Sequence, residues 1–187
     1  MGVNMESPKS KMYKIIIDLI ASTLTITKNT VTYFSGFKSV NGRLMPKFKA
    51  VHINTDYEIP YLAGYSVKGD MIYIDKRLPR RLKTKSGRVI DLFKYLVVHE
   101  IVEKYLEDHK HYKYAYAHEL ATGEERNAVE RDNVNWDEYQ NYMLKMVQQL
   151  KTFSGSLPLD LDTKPERDSH DYYRYHKIQK LKTLRAF

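Results

Sequence analysis

The 187-residue sequence contains no cysteine. Disulfide bonds, thiolate zinc clusters and cysteine nucleophiles are therefore excluded, and any metal site must use His, Asp and Glu. No apolar run approaches the roughly 20 residues needed to cross a bilayer. The first ten residues also lack the apolar segment of a secretory signal. We therefore expect neither a membrane span nor secretion.

Glycine-rich phosphate loops and the serine hydrolase motif G-x-S-x-G are absent too. The sequence therefore supports neither nucleotide phosphate binding by such a loop nor a serine hydrolase mechanism. A hydrophobic content of 42% and an aromatic content of 12% indicate a packed core rather than disorder. The length favours one domain with an appended arm. We predict a domain over residues 1–155 and a basic C-terminal extension over residues 156–187.

The formal net charge is +8. Such a charge is typical of proteins that bind polyanions or acidic partners. It is also typical of a soluble protein with a flexible basic arm. Much of the charge lies in residues 76–88 and after residue 164, and both interpretations stay open at this point.

The order of helical and strand patterns predicts an α+β fold. Helical spacing of apolar residues favours a helix over residues 11–24, although its β-branched residues leave a strand open. Residues 47–54, 61–67 and 71–75 have strand patterns, and the turn at 68–70 joins the last two in a hairpin. We expect a small antiparallel sheet.

Three helices are predicted to follow this sheet. Asp91 is a suitable N-cap for a helix that ends near Asp108. A second helix spans about residues 114–131. A third begins near Trp136, capped by Asn135 or Asp132. The C-terminal half is therefore predicted to be helical.

The first of these helices contains His99-Glu100-x-x-Glu103, which matches the zinc-protease motif H-E-x-x-H except that its last residue is glutamate. Residues four apart share one face of a helix, so His99 and Glu103 can bind one ion. The opposite half, with Val98, Ile101 and Val102, must face the core. A solvated polar face is the alternative interpretation.

The second helix places His118 and Glu125 on the same side as Ala117, Ala121 and Ala128. We therefore predict that His118 points inward. Small alanines let two helices approach closely. A buried histidine needs a partner, which a core His–Glu pair would also provide.

Together His99, Glu103 and His118 supply two imidazoles and one carboxylate, a ligand set of catalytic zinc that leaves one position open. Glu100 is the candidate general base. Zinc is the predicted cofactor.

Two further residues of the second helix are candidate supporting groups. Glu125 is predicted to hold the second nitrogen of His118. Tyr114 lies one turn before His118 and is either an oxyanion donor or a core residue.

The run from "IYIDKRLP" to "LVVHEIVEKYLED" resembles zincin metallopeptidases. The resemblance implies that Ile72, Tyr73, Ile74 and Asp75 form an edge strand that binds an extended peptide by strand addition. Its substrate would be a peptide or protein. The longer pattern that continues into "AHELATGEE" is similar to proteins of bacteriophages and prophages, and the two patterns cover roughly residues 65–143. This second resemblance implies a phage or host protein partner, in the cytoplasm of the host cell or associated with the virion.

Residues 164–187 carry seven basic and three acidic side chains, with tyrosines between them. Such a tail can bind nucleic acid weakly by stacking on bases. Alternatively Ile178, Leu181 and Leu184, at near-helical spacing, dock a terminal helix on this chain or a neighbour, and we expect docking. The alternative function for the whole chain is a non-catalytic basic phage protein, structural or nucleic-acid-associated, that keeps a zincin-like fold.

Overall fold

The computed structural model describes residues 8–150, 152, 157–168, 170 and 172–183. These form an α+β fold, as predicted, with a five-stranded mixed sheet and a two-stranded sheet. The helices are α1 (Pro8–Thr23), α2 (Leu92–Lys110), α3 (Tyr114–Arg131), α4 (Trp136–Leu150), α5 (Lys164–Asp168) and α6 (Tyr172–Thr183). The strands are β1 (Thr25–Thr27), β2 (Thr30–Val40), β3 (Arg43–Asn54), β4 (Ala63–Tyr65), β5 (Met71–Ile74), β6 (Arg81–Lys83) and β7 (Val89–Asp91).

The larger sheet has the strand order β1-β2-β3-β5-β4. The predicted hairpin is present as β4 and β5, which pair antiparallel with Gly64 opposite Tyr73. However, β5 also pairs with β3, and this pairing is parallel. The prediction of a purely antiparallel sheet is therefore wrong. The predicted edge position of Ile72, Tyr73, Ile74 and Asp75 is wrong as well, because β5 lies between two strands and β4 forms the edge.

The longest hairpin of the sheet, β2–β3, was predicted only in its second strand. Asn41 and Gly42 form its turn with φ of 49° and 75°, the left-handed values that suit Asn-Gly in a two-residue hairpin turn. The distal half of this hairpin is exposed on both faces. The basic segment of residues 76–88 contributes β6 to a second hairpin, in which β6 pairs antiparallel with β7.

Asp91 is the N-cap of helix α2, as predicted, and its side chain accepts a hydrogen bond from the backbone N–H of Phe93. Its apolar side belongs to the main hydrophobic core. Helix α3 packs along α2, and Ala117 and Ala121 at the contact are fully buried. The small alanines thus allow the close approach of the two helices on which the site depends.

The C-terminal segment docks on the domain. Ile178 of α6 is fully buried and forms a second hydrophobic cluster with Ile59, Tyr73, Leu157 and Leu161. Leu181 packs against this cluster, whereas Leu184 lies outside the described residues. The predicted docking of the tail therefore occurs on this chain. None of the described helices combines the length and the apolar character that crossing a membrane requires.

Candidate metal centre

Side chains from two helices converge on one point. The Nε2 atom of His99 lies 3.0 Å from Nδ1 of His118 and 3.4 Å from Oε2 of Glu103. The Nδ1 atom of His118 lies 2.8 Å from the same carboxylate oxygen. The structure thus brings together the three residues predicted to converge, and the group could hold a metal ion.

The burial of the site differs from the sequence-based expectations in two ways. The alternative of a solvated face on α2 is wrong, because His99, Glu100 and Glu103 are all less than a tenth exposed. The inward position predicted for His118 is wrong too, since its side chain is 47% exposed. His118 approaches Glu103 from the solvent side, so the group of three side chains is buried on the α2 side and open on the α3 side.

The spacing of the three ligand atoms suits a small divalent cation. Ligands bonded to zinc at about 2.1 Å in a tetrahedral arrangement lie roughly 3.4 Å apart. The observed separations of 2.8 to 3.4 Å need only small side-chain rotations to reach that value. The donor set therefore fits zinc.

The electrostatics of the site favour positive charge. Burial opposes protonation of His99, but its hydrogen bonds with Glu103 and Glu125 outweigh burial and raise the pKa of the imidazole. Burial also tends to raise the pKa of Glu103, yet its hydrogen bonds with His118 and His99 outweigh burial and lower it. A carboxylate that stays ionised beside two imidazoles is a strong cation ligand.

Glu125 orients His99. Its Oε2 atom lies 2.9 Å from Nδ1 of His99, and its Oε1 atom accepts a hydrogen bond of 2.5 Å from the hydroxyl of Tyr139. The prediction that Glu125 holds His118 is wrong. The chain reverses direction between α2 and α3. As a result, His118 contacts Glu103, while Glu125, two turns further along α3, contacts His99. Tyr139 was not among the predicted site residues, and its hydroxyl on the otherwise apolar side of α4 is the sequence signal that could have indicated this polar role.

No family model matches this chain, and neither a curated protein nor a solved structure does. The resemblances to zincin metallopeptidases and to phage proteins therefore stay predictions that rest on their motifs.

Glu100 and Tyr114 lie beside the three candidate ligands. Glu100 lines the same cavity and is buried, and burial together with the charge of Glu103 raises the pKa of its carboxyl. The Tyr114 hydroxyl lies 3.5 Å from Nδ1 of His118. Both side chains thus lie beside the three candidate ligands.

The site opens into a cavity of about 210 Å³. One wall is polar and consists of the residues described above. The opposite wall is largely apolar and comes from α4. The third wall is the loop before β4 and β4 itself. The side chains of the apolar wall are Trp136, Met143, Leu144 and Val147, and the third wall extends from Ile59 to Tyr65. The cavity is therefore bordered by apolar side chains of α4 and by the segment that contains β4.

The strand that was predicted to bind substrate has a different role. Ile72, Tyr73 and Ile74 are buried in the central strand β5. Asp75 is fully buried as well, and its carboxylate accepts hydrogen bonds from Arg77 and from the backbone N–H of Ile59. Ile72, Tyr73 and Ile74 thus form the strand that pairs with β4. Asp75 holds the backbone N–H of Ile59, at the start of the loop that lines the cavity.

Proposed function

We propose that the protein is a zinc-dependent hydrolase of the zincin type that cleaves peptides. The observation that supports this proposal is the convergence of His99, Glu103 and His118 beside the buried carboxyl of Glu100, in the wall of a cavity. Two imidazoles and one carboxylate with an open position are a ligand set of catalytic zinc. A phage origin and a cytoplasmic location are further proposals that rest on the motif resemblance alone.

A zinc ion held by these side chains would supply a Lewis acid for a carbonyl oxygen and lower the pKa of water. The chain's own residues then perform the proton transfers. The carboxylate of Glu100 accepts a proton from the attacking water as its oxygen bonds to the carbonyl carbon. Glu100 returns that proton to the leaving nitrogen as the carbon–nitrogen bond breaks.

The remaining groups position the reaction. Glu125 fixes the ring of His99 through Nδ1, so that Nε2 faces Glu103 and His118. In this proposal the hydroxyl of Tyr114, 3.5 Å from Nδ1 of His118, donates a hydrogen bond to the developing oxyanion. The apolar wall formed by α4 favours a substrate with an apolar side chain.

Substitution of Glu100 separates catalysis from metal binding. Glu100→Gln is expected to keep zinc and to lose peptide hydrolysis, because an amide cannot accept the proton. His99→Ala is expected to lose both. Peptide cleavage followed by mass spectrometry, with zinc content measured on the same samples, tests this. Cleavage by Glu100→Gln at the wild-type rate would remove Glu100 from the mechanism.

The β2–β3 hairpin favours a second candidate function, a non-catalytic protein that binds nucleic acid. Residues 28–55 contain no acidic side chain. The register puts Lys38, Arg43 and Lys47 on one face of the hairpin. A two-stranded ribbon fits the major groove of DNA. Replacing all three cations with glutamine would weaken DNA binding and reduce its salt dependence if this candidate is correct.

A further inference from the structure

The edge of the sheet beside the cavity is partly covered by the chain's own C-terminal segment. Residues 157–162, here called the C-terminal wall, meet the chain directly after β4 in one antiparallel bridge, with Leu161 opposite Ser66. The backbone N–H of Val67 donates to the carbonyl of Asp160 at 2.8 Å, and the N–H of Asp162 donates to the carbonyl of Tyr65 at 2.9 Å. One antiparallel bridge and two hydrogen bonds thus cover the edge of the sheet at residues 65–67.

Buried contacts hold this wall in place. Leu157 and Leu161 are 0% and 3% exposed and belong to the second hydrophobic cluster with Ile178. The hydroxyl of Tyr73 donates to the carboxylate of Asp160 at 2.6 Å, while Nζ of Lys182 donates to the carbonyl of Leu161 at 2.6 Å. Displacement of the wall would expose this cluster, so the wall is a fixed part of the fold.

Gly64 allows the wall to lie close to β4. A Cβ atom at this position would lie 3.1 Å from Cδ1 of Leu161, closer than an ordinary van der Waals contact. The side chain of Leu161 therefore occupies the place where a residue larger than glycine would project. Leu161 and Asp162 also line the cavity that contains His99 and Glu100.

The wall leaves one part of the β4 edge open. Hydrogen bonds of Leu62 with Asp75 and of Ser66 with Met71 direct the backbone groups of Gly64 toward β5. By the alternation of an antiparallel ladder, the N–H and C=O of Ala63 point outward. In the register of the wall, Lys164 would lie opposite Ala63, but α5 begins at Lys164 and the chain leaves the edge there.

We propose that the C-terminal wall makes the substrate cleft one-ended, so that the enzyme cleaves peptides close to a free amino terminus. This inference rests on the proposed hydrolase function. A peptide that continues the antiparallel register of the wall pairs with Ala63, and its amino end meets Asp162. The Asp162 carboxylate lies 3.4 Å from Nζ of Lys104 and accepts a hydrogen bond of 2.9 Å from the backbone N–H of Lys164, so it is held in place and stops the peptide sterically at this end. Asp162 and Leu161 are thus specificity-determining residues, since they stop a longer chain from continuing along β4.

Hydrogen exchange tests the wall without any need for activity. We expect the amides of Val67 and Asp162 to exchange as slowly as the amide of Ser66, which pairs β4 with β5. Exchange of either amide at the rate of an unstructured peptide would show that the wall is not fixed and would overturn the inference. This result is independent of whether the protein hydrolyses anything.

A reversible crosslink tests whether the fixed wall determines where a peptide is cleaved. Val67→Cys combined with Asp160→Cys puts two thiols at a hydrogen-bonded antiparallel pair, whose Cα atoms are about 5.5 Å apart, a separation that suits a disulfide. The chain has no other cysteine. The probes are random-sequence decapeptides with free or acetylated amino termini, and the products are mapped by mass spectrometry. Asp160→Cys alone is the control for the lost hydrogen bond from Tyr73.

With zinc present, we expect the oxidised and reduced forms to cleave equally, within about twofold. The cuts should fall at a fixed short distance from a free amino terminus, and acetylation should reduce cleavage at least tenfold. Loss of cleavage in the oxidised form with recovery on reduction would show a displaceable inhibitor and overturn the inference. Internal cuts that ignore the termini, or cuts counted from the carboxyl terminus, would also overturn it. No cleavage by the wild-type protein would instead reject the proposed hydrolase function, and the exchange data would still decide whether the wall is fixed.

Discussion

The carboxylate of Glu125 on α3 lies 2.9 Å from Nδ1 of His99 on α2. Since this contact occupies one ring nitrogen, the other is held toward Glu103 and His118. This buried contact joins α2 to α3 and orients the imidazole ring of His99 before any ion binds. The same carboxylate is held in turn by Tyr139 of α4, so three helices determine the position of one imidazole.

Glu125→Gln tests this orienting role. The amide can still contact Nδ1 but removes the negative charge that supports the basicity of the ring. We expect zinc affinity to fall by about 10- to 100-fold, as measured by competition with a zinc indicator. Glu119→Gln, an exposed change on the same helix, is the matched control. Equal affinities of the two variants would contradict the role of Glu125.

Glu103 is the residue that departs from H-E-x-x-H, and its substitution tests whether it is a ligand. Glu103→Ala should lose zinc binding almost completely. Glu103→His should retain it, because three histidines are also a ligand set of zinc. Calorimetric titration of both variants makes the comparison. Zinc binding by Glu103→Ala at wild-type affinity would show that the ion, if bound, lies elsewhere.

The convergence of His99, Glu103 and His118 was predictable because helical spacing fixes the first two and the alanines of α3 bring the third close. The partner of Glu125 was not predictable, since it depends on how α3 is aligned with α2. The central position of β5 could not be predicted either, because a parallel pairing with β3 leaves no local signal in the sequence. The contact of Leu161 with the β4 edge could not be predicted for the same reason, because it joins residues nearly a hundred positions apart in the sequence.

Asp132 joins the end of α3 to the start of α2, and its contribution to stability should depend on pH. Its carboxylate accepts hydrogen bonds from Nζ of Lys94 at 2.7 Å and from the Tyr95 hydroxyl at 2.8 Å. Burial tends to raise the pKa of Asp132, but these hydrogen bonds outweigh burial and lower it below its ordinary value of 3.8. The stabilisation is therefore present above that value and is lost as the pH falls through the lowered pKa.

We expect Asp132→Asn to reduce the free energy of unfolding by about 1–2 kcal/mol at pH 7, and the difference to disappear in strong acid. Urea unfolding of the variant and wild type at several pH values measures both. Asp56→Asn, at an exposed position, is the control. A difference that stays constant down to low pH would show that the charge of Asp132 is not its source.

Ile178 tests the docking of the C-terminal helix. Its side chain is fully buried against the second cluster, so Ile178→Ala should lower the free energy of unfolding by about 2–4 kcal/mol. Ile15→Ala, at a largely exposed position, should change it little. Thermal unfolding compares the two. If Ile178→Ala leaves stability unchanged and instead weakens DNA binding, the tail contacts nucleic acid rather than the domain.

The most direct test of the metal site is a zinc titration of the purified, metal-stripped protein beside His99→Ala and His118→Ala. We predict saturable binding of one zinc ion per wild-type chain and a loss of affinity of at least 100-fold in each variant, with all three proteins folded by circular dichroism. Wild-type protein that binds no zinc, or variants that bind it as tightly as wild type, would contradict a metal site at His99, Glu103 and His118.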